Sequence, residues 1–299
     1  MVRIITKTAK VVAAALVGTT LVAAGAIASV PMLRHIASGW WNSPDALPAL
    51  PQVPQDKYQV HYEPGSLAYA RTVERLMPAA MARVEAIHGR PFARPVTVGV
   101  YVSTDAYVRA NGLGSTRAVG MSFLGRVVLS PTLFGRQRDR LEAILTHELC
   151  HAHLRGWMSE LAYLELPTWF KEGLAVVVSG GGGAEHVSDA QARDAILRGD
   201  HIAVRSEGTL LDFVNIRMDR QPVVPETSFR IMLAYRQAGM FTAFLHDSDP
   251  SAFAHMMNAV LDGRQFAEAV RTSYGADVNA LWERFVEGLR NEAAPRASH

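Results

Sequence analysis

The motif His147-Glu148-Leu149-Cys150-His151 lies in a stretch whose apolar spacing predicts one helix over 137–155. Residues four apart on a helix lie one above the other, so both imidazoles face the same way. Two imidazole nitrogens placed in this way can occupy two corners of a tetrahedral zinc site. Glu148 is rotated about 100° from His147 around the helix, which puts its carboxylate beside such an ion. The stretch therefore predicts a metal-binding helix with a general base for water next to the metal.

A catalytic zinc ion also needs a third protein ligand and an open fourth position. The spacing that uses a third histidine is absent, because Leu154 and Trp157 occupy the relevant positions. Glu172 follows His151 by 21 residues, within Pro-Thr-Trp-Phe-Lys-Glu-Gly-Leu-Ala at 167–175, on a second predicted helix. A lone carboxylate among apolar side chains is costly to bury unless it is paired or bound to metal. The sequence therefore predicts a Zn²⁺ site with ligands His147, His151 and Glu172.

The remaining elements predict an α+β body. We expect strands at 58–62 and 96–102, and a hairpin of 118–123 with 126–130 that turns at Leu124-Gly125. After the hairpin the pattern becomes helical, with predicted helices at about 137–155, 168–178, 188–198 and 228–247 and three short ones after Pro250. Ser188 and Gln191 form a capping-box pattern at the start of the third. This order predicts a small N-terminal strand and hairpin layer with helices, a mostly helical C-terminal part, and the zinc site between them.

The two motifs together resemble the gluzincin metallopeptidases, and most of all the bacterial peptidase MA-like group. The resemblance extends over about 58–290, although its specific motifs cover only 147–151 and 167–175. It implies that His147, His151 and Glu172 bind zinc and that Glu148 polarises the attacking water. It also implies a gluzincin-like metallopeptidase domain over 57–295.

One position departs from the thermolysin-like members of this group, where an acidic residue one turn after the third ligand orients a zinc-binding histidine. Val176 occupies that position here. The groups that fix the two imidazoles must therefore come from elsewhere in the chain.

Peptide hydrolysis further needs a donor for the developing oxyanion. Tyr235 resembles a tyrosine on a downstream helix of the family, which predicts a catalytic role; an ordinary tyrosine of an amphipathic helix is the alternative. Arg236 and His201 are further candidates for the same role. His153 points away from His151 on the helix and is predicted to be a structural or surface residue. Cys150 is predicted to be a small core residue.

The N-terminal 33 residues predict a targeting segment. Three cations precede a run of 23 uncharged residues, from Val11 to Leu33, which is long enough to cross a bilayer as a helix. A small-x-small sequence at 26–28 also allows a cleaved signal peptide. Trp40 and Trp41 occur where interfacial aromatic residues are expected, and a proline-rich linker is predicted over 34–56. In either case the remainder of the chain is expected outside the cytoplasm, in the cell envelope.

Composition excludes several function classes. The net charge is +2 over 299 residues, and without residues 1–28 the chain has 27 basic and 28 acidic residues, so nucleic-acid binding is not expected. A single cysteine excludes an internal disulfide and any cysteine-rich zinc module.

The expected function is a zinc-dependent metallopeptidase with peptide or protein substrates, attached to the membrane through its N-terminal segment. Two alternatives remain. One is a membrane-anchored binding or scaffold protein with a structural or vestigial zinc site, and the other is a hydrolase of a non-peptide amide such as a cell-wall bond.

Overall fold

The computed structural model describes residues 31–51, 57–208 and 228–293. These residues form a mixed α+β structure, with the strands in the N-terminal part and helices in the C-terminal part, as predicted. The predicted segment Val11–Leu33 lies, up to residue 30, outside the described residues. Within them, no helix is both long and apolar enough to cross a membrane.

One four-stranded sheet carries all the named strands of the described part. The strands are β1 (Tyr58–Tyr62), β2 (Val96–Val100), β3 (Gly120–Phe123) and β4 (Arg126–Leu129), in the spatial order β1-β2-β4-β3. β1 and β4 both run parallel to β2, whereas β3 and β4 form the predicted antiparallel hairpin. β3 therefore lies at the edge of the sheet, with a strand partner on one side.

The helices predicted at 137–155, 168–178, 188–198 and 228–247 and after Pro250 form with similar bounds, whereas those over 31–41, 104–110 and 160–165 were not predicted. The described helices are α1 (Pro31–Trp41), α2 (Leu67–His88), α3 (Thr104–Ala110), α4 (Leu141–Trp157), α5 (Glu160–Glu165), α6 (Thr168–Ser179), α7 (Asp189–Leu197), α8 (Ser228–Ser248), α9 (Pro250–Leu261), α10 (Phe266–Tyr274) and α11 (Val278–Ala293). The capping box of Ser188 and Gln191 forms both of its hydrogen bonds. The start of the predicted helix 137–155 is a 3₁₀ turn over Arg138–Arg140, and the α-helix begins at Leu141.

All the sheet valines except Val128 belong to one apolar core, which also contains residues of α2, α4, α6 and α8–α11. A smaller cluster of Tyr101, Tyr107, Ala110 and Val128 packs α3 against the sheet. The sheet is thus covered by helices, which is the arrangement expected for parallel strands.

Helices α6 and α8 pack closely because Gly173 has no side chain at their contact. A Cβ at this position would lie 2.4 Å from the Thr242 hydroxyl and 2.5 Å from the carbonyl oxygen of Ala238. Gly239 of α8 meets Val176 of α6 in the same manner, since a Cβ there would lie 2.5 Å from a valine methyl carbon. This packing brings the middle of α8 to the segment of α6 that carries Glu172.

The predicted proline-rich linker over 34–56 differs from the structure in its described part. Residues 31–41 form helix α1, and Pro44–Ala46 form a 3₁₀ turn. The backbone of Leu50 then bonds to Val60 of β1, and the Leu50 side chain is buried. Proline prevents continuous helix or central strand, but it does not prevent a short segment from packing along a sheet edge. Residues 52–56 lie outside the described part.

Candidate metal centre

Three predicted ligands converge at one point between α4 and α6. The Nε2 atoms of His147 and His151 are 3.2 Å apart, and the Oε2 atom of Glu172 lies 3.2 Å from the first and 3.6 Å from the second. Among the described residues these three form the group able to hold a metal ion. Both histidines are buried, whereas the carboxylate side chain retains slight exposure.

The donor set and its spacing fit zinc. Ligand atoms at about 2.0–2.1 Å from a tetrahedral zinc ion lie roughly 3.4 Å from one another. The three observed separations, 3.2, 3.2 and 3.6 Å, bracket that value. Two imidazole nitrogens and one carboxylate oxygen are also ligands that zinc commonly has in catalytic sites.

The imidazole of His147 is oriented by the backbone of the glycine run after α6. Its Nδ1 atom lies 2.9 Å from the carbonyl oxygen of Gly182. Because a carbonyl can only accept, Nδ1 carries a proton and donates it, which leaves Nε2 as the ring nitrogen that faces Glu172 and is available as a ligand. The glycine run 180–183, which the sequence marks only as a loop, thus supplies an outer contact of the site.

The imidazole of His151 is oriented by Tyr163 of the short helix α5. The Tyr163 hydroxyl lies 3.1 Å from Nδ1 of His151, and it accepts the Nδ1 proton when Nε2 serves as a ligand. Two cations hold the Tyr163 ring: the Arg155 guanidinium carbon lies 3.8 Å and the Lys171 ammonium nitrogen 4.7 Å from its centroid. These contacts orient the second imidazole, for which the sequence identified no partner.

Tyr163 and Gly182 were not predicted as site residues from the sequence. Ser159, whose side chain caps α5, is the local signal that could have predicted a short helix there. Nothing in the local sequence connects that helix with His151, because the contact depends on how α5 folds back along α4.

The charges of His147 and Glu172 stabilise each other. Burial opposes a charge on His147, but the hydrogen bond and the negative charge of Glu172 outweigh it and raise the pKa of His147 to about 9. Burial likewise opposes the charge of Glu172, yet the adjacent His151 and His147 hold the pKa of that carboxyl far below its usual range. The Glu172 carboxylate therefore stays charged in this apolar setting because the two histidines face it.

Glu148 lies between the metal ligands and the edge strand β3. Burial raises the pKa of its carboxyl, while His147, His151 and the backbone N–H of Ser122 on β3 oppose that rise. A raised pKa suits a group that takes and later returns a proton. β3 comes this close because Gly120 has no side chain: a Cβ there would lie 2.9 Å from Glu148 Cγ and 2.6 Å from a methyl carbon of Ile144.

Tyr235 of α8, the predicted oxyanion donor, lies against the metal ligands. Its ring stacks on that of His147, with centroids 6.1 Å apart and planes at 11°. Burial raises the pKa of its phenol, and the charges of Glu172 and Glu148 and a hydrogen bond to Glu172 raise it further. The phenol therefore stays protonated and available as a donor at this centre.

The two further candidates for the oxyanion donor have other partners. The Arg236 guanidinium donates to the carbonyl oxygens of Val187 and Ala184, and it pairs with Asp189. The His201 ring packs against Trp282, and its Nδ1 lies 2.9 Å from the carbonyl oxygen of Ile202. In the described part, Arg236 and His201 therefore bond to neighbouring loops and helices, and neither side chain is directed at the three ligands.

Cys150 and His153 take part in a series of buried hydrogen bonds on the side of α4 that faces away from the metal ligands. The His153 Nε2 atom lies 3.0 Å from the carbonyl oxygen of Arg90 and must donate to it. Its Nδ1 then accepts from His88 Nδ1 at 2.8 Å, and His88 Nε2 accepts from the Cys150 thiol at 3.4 Å. Both residues are structural, and His153 is fully buried and not on the surface.

Comparisons with known proteins give little further information. No protein-family model matches the chain, and no curated protein matches it. Among solved structures, the chain is similar to native yeast LTA4 hydrolase, with 16% sequence identity and a TM-score of 0.46 over 80% of this chain and 39% of that chain. The chain thus spans about two fifths of the yeast protein. The identity and the TM-score are too low for this likeness to bear on function.

Proposed function

We propose that this protein is a zinc-dependent metallopeptidase that hydrolyses peptide bonds outside the cytoplasm. One observation carries the proposal: His147, His151 and Glu172 form a zinc-compatible donor set beside the buried carboxylate of Glu148. A purely structural zinc site has no need of such a base. The proposed ligands are the three residues of the donor set.

Zinc in this position supplies Lewis acidity toward a scissile carbonyl and lowers the pKa of water. Glu148 then acts as the general base: it accepts a proton from the attacking water and delivers it to the leaving amine. Its position one residue from His147 places the carboxylate beside the donor set, where this transfer is required.

Tyr235 is the proposed donor to the carbonyl oxygen as negative charge develops there. Its phenol already lies within hydrogen-bonding reach of Glu172, and the raised pKa keeps the proton on it. A donor of this kind stabilises the transition state more than the bound substrate.

The edge strand β3 is the proposed binding surface for an extended peptide. β3 pairs with β4 on one side, and Gly120 places the strand next to Glu148. An extended substrate can add to such an edge through backbone hydrogen bonds, which recognise a peptide with little regard to sequence.

The proposed location rests on sequence alone. Three cations before the apolar run Val11–Leu33 favour placing the body outside the cytoplasm, held by a membrane anchor or released by signal-peptide cleavage. A reporter fused after Gln55 that is active only when exported tests this location, and recovery of the native protein in the cytosol would contradict it.

The activity is tested by incubating the purified full chain with a peptide library, with and without a zinc chelator. Cleavage that the chelator abolishes and added zinc restores supports the proposal. Zinc binding without cleavage of any library member supports the scaffold alternative. Cleavage of cell-wall amides but of no peptide supports the non-peptide alternative.

A further inference from the structure

The tip of the β3–β4 hairpin exposes a leucine in an unusual backbone conformation. Leu124 and Gly125 form a two-residue turn in which both residues have positive φ, 49° and 76°. Asparagine or aspartate followed by glycine is the usual choice for such a turn, because a leucine at positive φ is strained. The Leu124 side chain is nonetheless 40% exposed. Neither turn geometry nor core packing accounts for a leucine here.

Helix α1 brings two tryptophans to the neighbourhood of this tip. Gly39 of α1 touches both Gly112 and the ring of Phe123, since a Cβ at position 39 would lie 2.7 Å from Gly112 Cα and 3.1 Å from that ring. Trp40 and Trp41 follow directly and are 62% and 82% exposed. Leu124 follows Phe123 directly, so the three exposed apolar residues lie within two residues of this contact.

The surroundings of this contact are basic. Arg34, Arg109 and Arg117 are exposed, and the Ser38 hydroxyl donates to the carbonyl oxygen of Arg109. The acids of segments 31–51 and 103–126 are Asp45 and Asp105, and Asp45 pairs with Arg126. Basic residues around an apolar face favour an anionic lipid surface over a neutral protein partner.

We propose that Trp40, Trp41 and Leu124 form a lipid-contact face that inserts into the headgroup region of an anionic membrane. Tryptophan is enriched at that depth of a bilayer, and basic residues around it add electrostatic attraction. The uncharged run Val11–Leu33, which the sequence predicts as a membrane anchor or a signal peptide, ends seven residues before Trp40. As an anchor it would hold the face near a membrane.

This face determines where the metal centre lies relative to the lipid. β3 runs from Gly120, which touches Glu148, to Phe123, which borders the face. Four residues of strand span only about 10 Å. If the proposed peptidase activity holds, the preferred substrates are therefore polypeptide segments close to the membrane surface.

The face is tested without measuring activity, so its failure is separable from failure of the peptidase proposal. The full chain is reconstituted into vesicles of phosphatidylcholine and phosphatidylglycerol, with an environment-sensitive fluorophore on Leu124→Cys or, in a second protein, on Trp41→Cys. The native Cys150 is fully buried, and burial raises the pKa of its thiol well above the usual value, so it should not react. Labelling of the unsubstituted chain checks this.

Val102→Cys is the matched control. Val102 is an apolar residue, 45% exposed, that follows β2 at the end of the sheet opposite the hairpin tip. We expect lipid-borne quenchers to reduce emission from positions 124 and 41 at least severalfold more than from position 102. Equal quenching at all three positions would overturn the proposal. Protection of position 124 from a water-soluble quencher in detergent, at high protein concentration only, would assign the face to a second copy of the chain instead.

Discussion

Each imidazole of the metal centre is oriented by a hydrogen bond at its Nδ1 atom. The partner is the carbonyl oxygen of Gly182 for His147 and the Tyr163 hydroxyl for His151. Tyr163→Phe should lower zinc affinity by about 10–100-fold, because the Nδ1 proton of His151 loses its acceptor. Competition with a chelator of known affinity measures the change.

Tyr274→Phe is the matched control, since its hydroxyl bonds to the carbonyl oxygen of Leu245, away from the metal ligands. Equal zinc affinity in Tyr163→Phe and the unsubstituted protein would show that this contact does not position His151.

Tyr235 is expected to act on the transition state and not on metal binding. Tyr235→Phe keeps the stacked ring against His147 but removes the phenol proton. We expect kcat to fall by about 10²–10³-fold with KM and zinc content nearly unchanged, because the hydrogen bond forms chiefly with the developing oxyanion. Steady-state kinetics and metal analysis on the same preparation measure these quantities. A drop in thermal stability with unaltered turnover would make Tyr235 a packing residue.

The sequence predicted the three metal ligands but not the residues that orient the two histidines. His147, His151 and Glu172 follow from helical spacing and from the cost of burying a carboxylate. Tyr163 and Gly182 lie on segments brought to the histidines only by tertiary packing. The apolar Val176 one turn after Glu172 suggested that the orienting groups come from elsewhere in the chain, but not from which residues.

The contact between α6 and α8 places Glu172 and Tyr235 in one site, and it depends on Gly173. Gly173→Ala should destabilise the fold by about 1–3 kcal/mol, because the new methyl group meets the Ala238 carbonyl and the Thr242 hydroxyl. Chemical denaturation measures the free energy of unfolding.

Gly288→Ala is the matched control on α11, where a Cβ would meet nothing within 4 Å. There alanine should stabilise the helix by about 0.5–1 kcal/mol. If both variants shift stability in the same direction and by the same amount, close packing at Gly173 does not hold these helices together.

Element type was predictable along most of the described chain, but sheet order was not. The strands at 58–62 and 96–100 and the hairpin follow from alternating apolar residues and turn signals. The parallel pairing of β2 with both β1 and β4 joins residues far apart in sequence, and no local pattern encodes it. The prolines after Trp41 suggested an extended linker, whereas Leu50 provides enough apolar burial to hold this segment on β1.

The metal ligands connect the two parts of the described fold, because α4 packs against the sheet and α6 packs against α8. Zinc in excess should therefore stabilise the entire fold, by about 2.7 kcal/mol at a free concentration 100 times its Kd. Thermal unfolding with and without a chelator detects this, and His151→Ala should lose the response. An equal response in that variant would locate the bound zinc elsewhere.

The proposed peptide hydrolysis requires both a bound metal and Glu148 as the base. Measuring zinc content and peptide turnover together in Glu148→Gln tests this requirement. Glu142→Gln serves as the control, since Glu142 lies on the same helix but pairs with Arg83 at the surface. We predict full zinc content and a loss of turnover of about 10²–10⁴-fold for Glu148→Gln, with near-normal turnover for the control. Turnover within a few-fold of the unsubstituted protein in Glu148→Gln would contradict the account.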